Sequence, residues 1–299
     1  MQMPDQIKQR VERFYNEVGW QQEANGLYQN AQYEDLRPVS ADYIARGHAR
    51  VGEHLAKQGE YLLDAGSGPV QYEDYLKYSQ GYARRVCFDL SSVALQEARK
   101  RLGEHGFYVV GDVSQLPFKA EAFDGIVSLH TIHHLPMEEK IPCYEGLYRC
   151  LKPGRSMATV DGWGEFSLSR LWGRIEALAA RRSASEFELK PESKTGAQPE
   201  EATQKAEPAK NSRPAGTYVA KTSANWFKQS VQGRFDYKIL SWRSVSVRFL
   251  RNVVASNRKG QRFLAFLSWL EDRFPKFFGE NGQYPLIVIK KPAAMPENH

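Results

Sequence analysis

Between residues 61 and 163 short apolar runs alternate with helical stretches. The runs at 61–65, 85–90, 107–110, 125–129 and 157–160 are rich in β-branched and aromatic residues and bounded by Gly, Asp or Pro, which predicts five strands. Ser91-Ser92 offers an N-cap for a helix over 93–102 that stops at Gly103. Ile141, Tyr144, Leu147, Tyr148 and Leu151 form the apolar face of a helix over 137–151, closed by Lys152-Pro153-Gly154. Strand–helix repetition of this kind predicts an α/β fold: a parallel sheet covered by helices on both faces.

The flanks read differently. Residues 5–58 are helical in pattern, with Val11, Phe14, Tyr15 and Val18 on one face, a link carrying Tyr28 and Tyr33, and a second helix over about 40–57. After the fifth strand comes a helix near 168–182. Residues 183–216 then hold four Pro and eleven charges against two large apolar residues, Phe187 and Leu189. Such a segment cannot bury enough surface to offset its chain entropy, so a disordered insertion is expected there. Order resumes with a short helix over 223–231, a long strand over 235–249, an aromatic helix over 263–278 broken at Pro275, and a last strand over 284–290. The expected organisation is a helical cap (1–55), a core (56–163), a lid helix (164–182), the insertion (183–216), a last core helix with strand six (217–249), a basic aromatic insertion (250–283), strand seven (284–291) and a tail (292–299).

Composition narrows the class. A hydrophobic share of 41% over 299 residues excludes wholesale disorder and allows a substantial core. No stretch approaches the ~20 apolar residues of a membrane-spanning helix. The opening residues lack the apolar centre of a secretory signal. Cys87, Cys143 and Cys150 have no C-x-x-C spacing, so buried reduced thiols and a cytoplasmic setting are expected. Residues 217–299 carry 14 basic and 5 acidic side chains, which accounts for more than the whole net charge of +6. A localised excess suggests an anionic partner (lipid, nucleic acid or an acidic substrate) or simply a solvated basic face.

The candidate chemistry begins at Leu62-Leu63-Asp64-Ala65-Gly66-Ser67-Gly68-Pro69, where a buried strand runs into a glycine turn. Glycines there let a ligand approach the backbone and reach the amide end of the next helix. The loop lacks the third Gly of the dinucleotide fingerprint, having Val70-Gln71 instead, and lacks the Gly-Lys-Ser/Thr of a phosphate loop. Asp89 closes the second strand, where a carboxylate can accept from two ribose hydroxyls. Asp112 follows the third strand, and Leu129-His130-Thr131-Ile132-His133-His134 closes the fourth.

Together with Leu116-Pro117-Phe118, Phe123-Asp124 and Leu151-Lys152-Pro153-Gly154, this series resembles the class I S-adenosylmethionine-dependent methyltransferases, and within them the branch acting on quinones, sterols and other small molecules. The resemblance covers about 55–163 and implies a Rossmann-like, seven-stranded, mostly parallel sheet, the last two strands coming from 235–290. It implies S-adenosyl-L-methionine as cofactor. Asp64 would approach the methionyl amino end, Gly66 and Gly68 would line the turn, and Asp89 would bind ribose. Leu90 would pack on adenine, Asp112 and Val113 would read its edge, and His130 would lie near the methionyl group. His133 and His134 are candidate general bases, against packing or backbone hydrogen bonding as the plainer reading. The Asn/Asp-Pro-Pro-Tyr/Phe motif of base-amino methylation is missing after the fourth strand, and Cys143 of Pro142-Cys143 falls within a helix, as a packing residue.

The expected reaction is methyl transfer to oxygen or carbon of a small lipophilic or aromatic acceptor. An RNA methyltransferase and a non-catalytic, membrane-associated scaffold are the alternatives. The helical cap, the excursion after strand five and that over 250–283 are all expected to close over the reactive methyl group, the last with peripheral membrane contact as a further use. No metal site is expected, since His48, His54 and His105 are scattered.

Overall fold

The computed structural model describes residues 4–24, 26–188 and 217–293. In chain order its elements are α1 (Pro4–Phe14), α2 (Ala41–Gly52), β1 (Gly59–Ala65), α3 (Glu73–Leu76), β2 (Tyr82–Asp89), α4 (Ser92–Leu102), β3 (Gly106–Val110), β4 (Gly125–Leu129), α5 (Met137–Cys150) and β5 (Ser156–Val160). They continue as α6 (Ser169–Glu188), α7 (Ala224–Ser230), β6 (Asp236–Arg243), α8 (Val247–Val253), α9 (Arg258–Arg273), α10 (Pro275–Asn281) and β7 (Tyr284–Lys290).

The seven strands form one sheet in the order β3-β2-β1-β4-β5-β7-β6. β1 to β5 pair in parallel, and β7 runs antiparallel to both β5 and β6. Successive side chains alternate between two cores, as a pleated strand requires. Leu63, Val86, Phe88, Ile126 and Met157 enter one, and Leu62, Cys87, Val127 and Ala158 the other. Both faces are therefore dry, which explains why the strands read as unbroken apolar runs. Reversal of strand order at β1 and β4 opens a crevice at their carboxyl ends, the usual place for a ligand in such sheets.

Local signals account for the element ends. The Ser91 side chain accepts from the Ala94 amide at 3.1 Å and starts α4, and Gly103, at φ 52°, ends it. Ser223 and Ser246 cap α7 and α8 in the same way. The Ser246 cap corrects the long strand expected over 235–249. β6 stops at Arg243, and Phe249 and Leu250 of α8 pack into a core cluster beside Val245, which precedes the cap. The lid helix also differs from expectation, because α6 continues to Glu188. Ala184, Glu186 and Glu188 favour helix even in a charged context. The rest of the expected insertion, 189–216, lies outside the described residues, as does the tail from 294.

A third cluster joins the N-terminal region to the C-terminal insertion. Val39 and Tyr43 pack with Phe249, Leu250, Leu264 and Leu267. Within it Arg50 donates to Glu271 at 2.8 Å, Tyr43 donates to the same carboxylate at 2.6 Å, and all three side chains are buried.

Candidate active site

A cavity of about 450 Å³ opens at the carboxyl ends of the strands, within the usual range for a small-molecule site. Its floor is the turn after β1. Gly66 and Gly68 have φ values of 75° and 53°, where a side chain is disfavoured. A Cβ on Gly66 would come within 2.2 Å of the Thr131 side chain, and one on Gly68 within 3.0 Å of the Trp20 ring. Gly66 therefore needs glycine for space as well as for torsion, and Gly68 chiefly for torsion. His130 also takes a positive φ, 56°, at the end of β4. Such strain in a non-glycine residue persists only where its surroundings fix it. Here the His130 amide donates to Val160 O at 2.6 Å, and the ring meets Trp242 edge-on with centroids 5.0 Å apart.

Asp64, Gly66, Gly68, Asp89, Leu90, Val113, His130, His133 and His134 all line the cavity, as the sequence motifs imply. Asp112 does not. Its Oδ1 accepts from the Ser114 amide at 2.8 Å, and its Oδ2 accepts from Ser114 Oγ at 2.9 Å and pairs with Lys8 at 2.6 Å. The expected reader of the adenine edge is thus turned outward to hold α1, and Val113 alone of that pair faces the cavity. Asp64 is partly engaged too, since its Oδ2 accepts from buried Arg85.

Asp89 is the recessed acid of the site. Its Oδ2 accepts from the Gly68 amide at 2.8 Å and its Oδ1 from the Ser91 amide at 2.8 Å. Burial pushes its carboxyl up to about 6, against the pull of those two amides. The turn that Asp89 braces is the one the cofactor would rest on.

The three histidines differ in what their partners permit. His134 Nδ1 lies 2.7 Å from the Tyr218 carbonyl, which only accepts, so Nδ1 carries the proton and Nε2 accepts from Tyr15 Oη at 2.8 Å. Both nitrogens are engaged. His133 Nδ1 lies 2.7 Å from the Asp161 carboxylate, which likewise fixes the proton on Nδ1. Its Nε2 has no hydrogen-bond partner among the described residues, and the ring lines the cavity. Burial pushes His130 down to about 4 and His133 and His134 to about 3, so all three are neutral at pH 7. Asp161 is raised by burial.

Several lining residues lie outside the strand-end motifs; the hydrophobic pattern marks Val11, Tyr15 and Tyr33 among them and gives no signal for Lys8, Trp20, Glu34 or Arg243. The N-terminal cap supplies Lys8, Val11, Tyr15, Trp20, Tyr33 and Glu34, and the stretch before α7 supplies Thr217, Val219 and Lys221. Arg243 and Tyr284 enter from the end of β6 and the start of β7. Arg243 donates to Glu34 at 2.6 Å and stands 5.0 Å from the Tyr284 ring centroid. No residue of 250–283 lines the cavity, which corrects the expectation that this insertion walls the acceptor. Its apolar face is used up against α2 and α8.

S-adenosylmethionine fits these residues. The glycine cradle is open where a Cβ would close it. Buried Gln71 Oε1, Thr217 Oγ1 and Arg243 Nε lack hydrogen-bond partners, and all three residues line the cavity. Such orphaned polar atoms suit a polar ligand, because leaving them unmatched costs free energy. Among the described residues no group of His, Cys, Asp and Glu is arranged to hold a metal.

Comparison with known proteins agrees with this geometry. Residues 63–158 match a family model described as a methyltransferase domain. Sterol 24-C-methyltransferase of Pneumocystis carinii is 30% identical over 124 residues, covering 40% of this chain and 32% of that protein. A probable tRNA methyltransferase 9B of Homo sapiens is 31% identical over 125 residues, covering 41% of this chain and 26% of that protein. The chain thus spans about a third or less of the length of these relatives. A solved phosphoethanolamine N-methyltransferase 1 of Haemonchus contortus superposes with a TM-score of 0.57 at 12% identity, covering 100% of this chain and 52% of that one, which is a likeness of fold. Strand order, glycine turn, strand-end acid and the matched family model mark residues 63–158 as a class I S-adenosylmethionine-dependent methyltransferase domain.

Proposed function

We propose that the chain transfers the methyl group of S-adenosylmethionine to oxygen or acidic carbon of a small, lipophilic or aromatic acceptor. The carrying observation is His133 in the lining of the cavity, its Nδ1 held by Asp161 and its Nε2 without a hydrogen-bond partner among the described residues. The bound cofactor supplies an electrophilic methyl group. Gly66, Gly68 and Asp89 hold it at the floor, while Trp20, Tyr33, Tyr72 and Tyr284 exclude water and orient the acceptor.

His133 Nε2 would take the proton that the acceptor's oxygen or carbon gives up when it receives the methyl group, whose bond to sulfur breaks to leave S-adenosylhomocysteine. The imidazolium so formed is stabilised by Asp161, which keeps the Nδ1 proton. The acceptor class is supported by the cavity's aromatic lining and by the sterol enzyme among the relatives. A lipophilic acceptor partitions into membranes, and the reading therefore includes a cytoplasmic chain in peripheral contact with anionic lipid through residues 250–283.

The test is transfer of radiolabelled methyl groups to phenols, quinols, sterols and lipid extracts, run beside total tRNA. His133→Asn should lower turnover on the accepted substrate by about 10²-fold or more. Binding of S-adenosylhomocysteine should be unchanged. Labelling of tRNA alone would replace this reading with the RNA one, and an unimpaired His133→Asn would remove the base.

A further inference from the structure

The insertion between β6 and β7 leaves the cavity and presents a different surface. On α9, Arg258, Arg262, Phe266, Trp269 and Arg273 follow one another at spacings of four, four, three and four residues, so they share one helical face. The opposite face, Gly260, Leu264, Leu267 and Glu271, is buried. Phe266 and Trp269 are 57% and 56% exposed, with rings stacked at 5.8 Å. Phe274 and Phe277 extend this apolar surface, each about half exposed.

The charges of the insertion sort by side. Glu271 is taken by Arg50, Asp272 by Arg46 and Arg50, and Glu280 by Lys228. Arg258, Lys259, Arg262, Arg273 and Lys276 have no ion pair among the described residues and are exposed. Pairing has therefore neutralised every acid of α9 and α10 and left the cations free. An uncovered face that is both aromatic and cationic is complementary to an anionic interface with an apolar interior, where aromatic rings enter the headgroup boundary and cations meet lipid phosphates.

Topology connects this face to the cavity. β6 runs parallel to β5 and ends at the ligand side of the sheet with cavity-lining Arg243. β7 runs back from that side, beginning with cavity-lining Tyr284. Both ends of the insertion are thus anchored at the mouth of the site.

We propose that the outer face of α9, continued by Phe274 and Phe277, docks the chain on an anionic lipid bilayer and brings the cavity to the membrane surface. The proposal deepens the functional reading above, resting on it only for the source of the acceptor, and its physical content is tested separately. The full chain is sedimented with vesicles of phosphatidylcholine alone and of phosphatidylcholine mixed with phosphatidylserine. Partition should be at least about tenfold stronger into the anionic vesicles and should weaken as salt is raised. Arg262→Glu with Arg273→Glu, and separately Phe266→Ser with Trp269→Ser, should each reduce that partition about tenfold or more. Calorimetric binding of S-adenosylhomocysteine should be unchanged in both, which shows the variants folded.

Equal or absent partition into the two vesicle types overturns the docking proposal. So does concentration-dependent dimerisation abolished by the aromatic pair, or RNA binding without vesicle binding. Vesicle binding by a chain that binds no S-adenosylhomocysteine would sink the methyl-transfer reading and leave the docking intact.

Discussion

Asp89 closes β2 with both carboxylate oxygens already accepting backbone amides, and burial holds its carboxyl at about 6. A ligand hydroxyl donating to it favours the ionised form, so cofactor affinity should rise with pH through about 6 and level off above. Below that value the loss approaches tenfold per pH unit, readable by titration calorimetry across pH 5 to 8. Asp89→Asn should remove that dependence and weaken binding by about 1–3 kcal/mol. A pH profile unaltered by the substitution would contradict the ribose role. Asp89 was legible in the sequence because strand-end spacing alone locates it. Asp112 had the same signal but a different fate, since its partner Lys8 lies more than a hundred residues away and no local pattern reveals the pair. His133 and His134 were equally plausible as bases from sequence. What separates them is Asp161 on one and Tyr218 with Tyr15 on the other, again partners from distant strands and loops.

Elements tell the same story with different physics. The strands β1 to β5 announce themselves because a sheet buried on both faces demands continuous apolar runs. The insertion over 250–283 was legible as helical, aromatic and basic, while its placement was not. Helical periodicity shows that Leu264 and Leu267 share a face without showing what that face meets. It meets α2, and the fastening there is a buried charge. Arg50, Glu271 and Tyr43 form a closed network between α2 and α9. Glu271→Ala leaves a buried guanidinium without its main partner and should cost about 3–5 kcal/mol, measured by denaturant unfolding. A loss below about 1 kcal/mol would show that Asp272, which also pairs with Arg50 at 2.9 Å, carries the contact instead.

At the scale of the whole molecule, the N-terminal cap is held from three sides over the cofactor floor. Lys8 pairs with Asp112 and Glu139, Ser91 donates to Asn16, and Tyr15 donates to His134. The result is a cavity containing three neutral histidines, and this makes the fold acid-sensitive. Each of His130, His133 and His134 binds fewer protons folded than unfolded between about 4 and the ordinary 6.5, so stability falls as pH drops below 6.5. Asp89 and Asp161 act in the opposite sense, since each holds its proton more tightly when folded, but they are two groups against three. The midpoint of thermal unfolding should therefore decrease from pH 7 to pH 5, where an invariant midpoint would mean that the histidines are hydrated rather than buried.

The central claim is that the glycine turn and Asp89 form an S-adenosylmethionine site. Calorimetric titration of the full chain with S-adenosylmethionine and, separately, S-adenosylhomocysteine tests it directly. The geometry predicts one site per chain, with saturable binding of both ligands. Absence of heat and of thermal stabilisation at millimolar ligand would contradict it, leaving a methyltransferase fold without its cofactor.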